Sequence, residues 1–71
     1  MTGRTPVAVS RAMRDLGGHL LRWRQLNGVT QALLAERANV SIPTVRAIET
    51  GSSVSSENLL RVMRVLGVLD T

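Results

Sequence analysis

The chain has 71 residues, 44% of them hydrophobic, which suffices for one small domain with one core and excludes two. Its formal net charge is +4 and all nine cationic side chains are arginine; such a field attracts polyanions, and the planar arginine fork suits phosphates and guanine edges. Cysteine is absent, which excludes disulfides and thiolate metal sites, and no run has signal-peptide character or the roughly 20 apolar residues of a membrane span, so a cytoplasmic setting without membrane attachment is expected.

Taken in chain order, Thr5-Pro6 reads as a helix start, with Thr5 as N-cap and Pro6 at the first helical position. Val9, Met13, Leu16, Leu20, Trp23 and Leu26 then fall at helical spacing, predicting one apolar stripe that runs to Asn27. Gly17-Gly18 interrupts it. Each interior glycine costs about 1 kcal/mol against alanine, so the segment is one long weakened helix or two shorter ones, and a break or kink is the expected outcome. That divides the chain into an N-terminal extension over residues 1–14, a short helix or arm, and a main domain over residues 15–71.

Asn27-Gly28 closes the first region, since glycine accepts the left-handed backbone of a helix end. Thr30 caps a second helix carrying Leu33, Leu34, Ala35 and Ala38, which Asn39 ends in a left-handed turn. Val40 packs before Ser41, the cap of a third helix with Pro43 in its first turn and Val45 and Ile48 on its inner edge. A short polar loop, Gly51 to Val54, leads to Ser55, which caps a last helix with Glu57 in its first turn. Leu59, Leu60, Val62, Met63 and Leu66 give that helix a broad apolar face before Gly67 ends it. No strand-like alternation occurs, so the fold class is all-α, a small bundle of four to five helices.

Two short helices joined by a tight turn, on a basic chain, are what a helix-turn-helix DNA reader requires. One helix braces against the backbone and the next presents its early residues to the major groove. With Val45 and Ile48 inward, the outward residues of the second of these helices are Ile42, Pro43, Thr44, Arg46 and Ala47, the base-reading candidates.

Thr30-Gln31, Leu34-Ala35, Val40-Ser41, Val45, Ile48-Glu49 and Gly51 together resemble the phage-repressor helix-turn-helix pattern of the Cro/C1 or XRE family, over about residues 16–68. The resemblance implies a lambda-repressor-like domain of five helices with the third in the major groove. It implies that Gln31 holds a phosphate or supports the neighbouring reader, and that Arg24 and Glu49 form an ion pair tying the first helix to the end of the recognition helix. The chain departs from the family at Asn39, where glycine is frequent, at Leu33, where an acid is frequent, and at Arg46-Ala47, where serine and arginine are frequent. The family's base preference therefore does not carry over.

Individual residues keep two readings each. Arg46 reaches guanine O6 and N7 or holds a phosphate. Ile42 touches a thymine methyl or packs against Val40, and Thr44 bonds a base or a phosphate. Thr30, Ser41, Thr50, Ser52 and Ser53 are phosphate candidates or simple caps and loop hydroxyls, and Arg22 is a solvated charge or grazes the phosphate backbone. Trp23 is expected in the core, and His19 on the surface, without the partners a metal would need.

The function these features imply is a sequence-specific, nucleoid-associated transcriptional regulator that binds double-stranded DNA. A repressor or operon autorepressor acting as a homodimer on a near-palindromic operator is the expected form, because one unit reads too few base pairs. The segment from Pro6 to Arg14 or from Val65 to Leu69 is the expected dimer contact. The alternative is an antitoxin that neutralises a toxin partner while autoregulating its operon, which exposed apolar residues such as Leu33 and Val68 would favour. One histidine, no cysteine and five scattered carboxylates supply neither a nucleophile-base pair nor a metal set; no enzyme activity and no cofactor are expected.

Overall fold

The computed structural model describes residues 5–67. Four helices follow one another: α1 (Val7–Leu26), α2 (Gln31–Ala38), α3 (Ile42–Thr50) and α4 (Ser56–Val65). No strand occurs among the described residues. α3 packs against α1 and α2, and α2 packs against α4.

The helix boundaries follow from local chemistry. Thr30 Oγ1, Ser41 Oγ and Ser55 Oγ each accept the amide of the residue three further on, Leu33, Thr44 and Asn58, at 3.0 to 3.1 Å. Each hydroxyl thus satisfies one of the amides a helix start leaves open. At the other ends, Gly28, Asn39 and Gly51 have φ of 67°, 56° and 80°. The amide that follows each one turns back to the helix: Val29 to Arg24 O, Val40 to Ala35 O and Ser52 to Ala47 O, at 2.8 to 3.1 Å. This is the Schellman closure, and it reverses the chain within two residues.

The start of α1 lies one residue later than Thr5-Pro6 predicts. Pro6 itself is the N-cap, with extended ψ of 144°, and its carbonyl accepts the amides of Val9 and Ser10. Residues 1–4 and 68–71, which include Val68 and Leu69, lie outside the described residues.

A larger correction concerns Gly17-Gly18. α1 passes through both as one continuous helix, so Val7 to Arg14 form its first turns and not a separate short helix. The reason is packing. A Cβ at Gly17 would stand 2.1 Å from Ile48 O and 3.0 Å from Glu49 C, whereas one at Gly18 would meet nothing within 4 Å. Gly17 is the point where α1 and the end of α3 approach backbone to backbone, and that contact offsets the low helix propensity.

The core consists of Leu20, Leu34, Ala35, Ala38, Val45, Ile48, Val62 and Leu66, with Leu34, Val45 and Val62 wholly covered. Val29, Val40, Val54, Leu59, Met63 and Val65 pack around it. The face that α1 contributes differs from the predicted stripe: Gly17, Leu20 and Arg24 are buried, while Val9, Leu16, Trp23 and Leu26 are exposed. Trp23 is 45% exposed and donates its indole N–H to Leu66 O at 2.6 Å, so it joins α1 to the end of α4 from outside the core. Arginine occupies an inner position of this helix, which displaces the apolar face from the one hydrophobic periodicity draws.

Candidate nucleic-acid interface

The Schellman turn at Gly28-Val29 brings the N-terminus of α2 beside the end of α3, where four polar side chains meet. Arg24 Nε donates to Glu49 Oε2 at 2.6 Å, and its Nη2 donates to Oε1 at 3.2 Å. Its remaining nitrogen, Nη1, donates to Val29 O at 2.8 Å. One guanidinium therefore holds the end of α1, the entry to α2 and the last turn of α3 together.

The two side chains of this pair are only 11% and 5% exposed. Burial at that level costs much of what the pair gains by Coulomb attraction. Its contribution is orientation, because a bidentate fork defines both the distance and the angle between α1 and α3.

Glu49 Oε1 also accepts from Gln31 Nε2 at 2.9 Å. A carboxylate only accepts, so the amide nitrogen of Gln31 must face it and the amide oxygen faces the other way. That oxygen accepts from Arg46 Nε at 3.4 Å. The chain Arg24, Glu49, Gln31, Arg46 thus runs from a buried ion pair to an exposed guanidinium on the outer side of α3. Sequence reasoning paired Arg24 with Glu49, and gave Gln31 a part in supporting the neighbouring reader, only through a family resemblance; the bonds from Gln31 to Glu49 and Arg46 span 18 and 15 positions and leave no local signal.

The other candidates lie as follows. Ile42, Pro43 and Arg46 are exposed, while Thr44 and Ala47 are half-buried. Thr44 Oγ1 lies 2.8 Å from Ser41 Oγ. Ala47 stands less far outward than the sequence-based expectation has it, since its carbonyl accepts the amide of Ser52 where the chain turns back over it. Thr50 Oγ1 donates to Arg46 O at 2.9 Å and lies 3.3 Å from Ser52 Oγ, which puts both at the exit of α3. Ser53 is exposed in the following loop. Arg22 stands apart from this group on α1, with Nη2 3.0 Å from His19 Nδ1.

Chemically, this surface offers two helix N-termini, at Thr30 and Ser41, whose open amides and dipoles favour anions. A cap hydroxyl that accepts an amide still has its own proton to donate. Glu49 is the carboxylate on α3, and Arg24 compensates its charge, so Arg46 is the uncompensated charge of that helix. Among the described residues no group of three or more His, Asp or Glu side chains could hold a metal ion.

In comparisons with known proteins, a model of the helix-turn-helix family matches residues 20–69, which covers α2, the turn at Asn39 and α3 together with most of the remaining bundle. The chain belongs to the XRE-type helix-turn-helix family. A search of curated proteins gives no match. As a member of that family, this chain is a DNA-binding transcription regulator. The helix-turn-helix unit here is all-helical in its described residues, and none of its helices is long and apolar enough to cross a membrane.

Proposed function

We propose that the protein is a repressor or operon autorepressor that occupies a near-palindromic operator as a dimer, with α3 of each protomer in the major groove. The observation that carries this reading is the polar chain from Arg24 to Arg46, which presets the exposed arginine of α3 against the N-terminus of α2. Ile42, Pro43, Thr44, Arg46 and Ala47 face base edges in this reading. Gln31, Thr30, Ser41, Thr50, Ser52, Ser53 and Arg22 contact phosphates. Two such units on one face of the duplex sit about 34 Å apart.

Arg46 is the residue whose role is most readily tested. Its guanidinium suits guanine O6 and N7, a contact that contributes about 1 to 3 kcal/mol of discrimination. Duplexes selected from random DNA give the preferred site, and titrations across salt concentrations give the electrostatic share of binding. Arg46→Ala is expected to relax preference at one base pair by roughly tenfold to a hundredfold, while the wild-type affinity falls steeply with salt. Uniform weakening across all sequences would assign Arg46 to phosphate instead, and an affinity flat with salt would overturn the interface altogether.

The antitoxin reading draws support from one feature. Trp23 and Leu26, 45% and 81% exposed, form an apolar groove with Leu16, Leu20 and Met63 between α1 and α4. Leu33, by contrast, is half-buried and offers little to a partner. Co-purification of a defined toxin with the protein separates this reading from a free-standing repressor.

A further inference from the structure

α1 is the odd element of this fold. At 20 residues it is about 30 Å long, against 8 to 10 residues for the other three helices, and it makes the molecule 39 Å along its long axis but only 23 and 20 Å across. Its contacts with the bundle begin near Met13 and Arg14. The turns before them expose Val7, Ala8, Val9, Arg11 and Ala12, so hydrophobic burial does not explain why the helix continues there.

Helical periodicity gives that extension a face. At 100° per residue, Arg11, Arg14, Gly18, Arg22 and Gln25 fall within one strip along α1. Arg22, at the far end of the strip, reaches His19 and borders the apolar groove beside α4, whereas Arg11 and Arg14 do not line it. Asp15 lies at the edge of the strip. Among the described residues, the ion pairs are Arg24 with Glu49 and Arg61 with Glu57, so Arg11, Arg14 and Arg22 have no carboxylate partner.

The strip is also joined to the reader. A Cβ at Gly51 would stand 2.7 Å from both Cα and Cγ of Arg14, so the stem of Arg14 lies directly over the residue where α3 turns into the Ser52-Ser53 loop. Gly18, with nothing within 4 Å of its Cβ position, leaves the middle of the strip low and open. A polyanion strand lying along the exit of α3 would meet Ser52, then Arg14, then Arg11.

We infer that Arg11 and Arg14 form a phosphate-binding extension of the DNA interface, contacting the backbone outside the segment that α3 reads. This rests on the placement of α3 in the major groove. The two arginines add affinity and length of contact but no base preference, since phosphates carry no sequence information directly.

The test compares the full chain with Arg11→Gln/Arg14→Gln and with a charge-matched control, Arg37→Gln/Arg64→Gln. The control residues line a separate cleft between the end of α2 and α4. Glutamine preserves helix propensity. Affinity for a duplex selected from random DNA is measured across salt concentrations, together with phosphate-ethylation interference. The Arg11/Arg14 variant is expected to show a slope of log K against log salt shallower by about 1.8, from about 0.9 per phosphate lost. Interference at the flanking phosphates should vanish while base preference stays as in the wild type, and the control should keep the wild-type slope. An unchanged slope overturns the inference, as does an equal change in both double variants, which would report only the overall field. Failure of the major-groove reading shows in separate data, as base preferences that no α3 substitution alters, and the extension then falls with it.

Discussion

Gly17→Ala is expected to destabilise the protein by about 3 kcal/mol, whereas Gly18→Ala, one residue away, is expected to stabilise it by about 1 kcal/mol. The added methyl at position 17 would press on Ile48 O at 2.1 Å and on Glu49 C at 3.0 Å. Both are backbone atoms, which no rotamer change can move aside, so α1 and α3 must separate. At position 18 the methyl meets nothing within 4 Å, and only the gain in helix propensity is left. For a domain of this size each kcal/mol moves the melting temperature by roughly 4 to 8 °C, so thermal unfolding followed by circular dichroism resolves the two variants in opposite directions. A Gly17→Ala protein as stable as the wild type would refute the close approach of the two helices.

The second large effect is expected at Glu49. Glu49→Ala removes the partner of a buried guanidinium and leaves Arg24 with Val29 O alone, a change expected to cost about 3 to 5 kcal/mol because the remaining charge is desolvated without compensation. Glu49→Gln should cost less, since its amide oxygen still accepts one of the Arg24 donors. Denaturant titrations measure both, and a shift in midpoint at constant slope identifies a change in stability rather than in compactness. A loss under about 1 kcal/mol for Glu49→Ala would show that the pair is solvated. The same substitution frees Gln31, whose amide then loses the acceptor that orients it, so any protein that still folds should also read DNA less selectively.

These two residues show where the sequence was informative and where it was not. The starts of α2, α3 and α4 were legible because a hydroxyl cap acts on an amide three residues away, and the turns at Gly28, Asn39 and Gly51 because left-handed backbone admits few residue types. All of that chemistry is local. α1 was misread because its defining contacts are distant: Gly17 looks like a helix breaker until Ile48 is opposite it, and nothing in the local spacing places Arg24 on the inner face beside Glu49. With a glycine and an arginine on the inner face, the apolar residues at helical spacing mark a face turned partly away from the core, of which Leu20 is buried while Val9, Leu16, Trp23 and Leu26 are exposed. The pairing of Arg24 with Glu49 and the support of the reader by Gln31 came from family resemblance, and the atoms that join Gln31 to Glu49 and Arg46 needed the structure.

The indole of Trp23 gives the molecule a property of practical use. It is the chain's one residue among Phe, Trp and Tyr, and it sits at the seam where α1 meets the last turn of α4, held by its bond to Leu66 O. Ultraviolet emission from this protein therefore originates at a single point. Detachment of α4 should shift that emission to the red, and a partner lying in the groove beside Leu26 and Met63 should shift it to the blue. DNA held at α3 should leave the colour nearly constant, so one unlabelled sample can tell unfolding, protein association and operator binding apart.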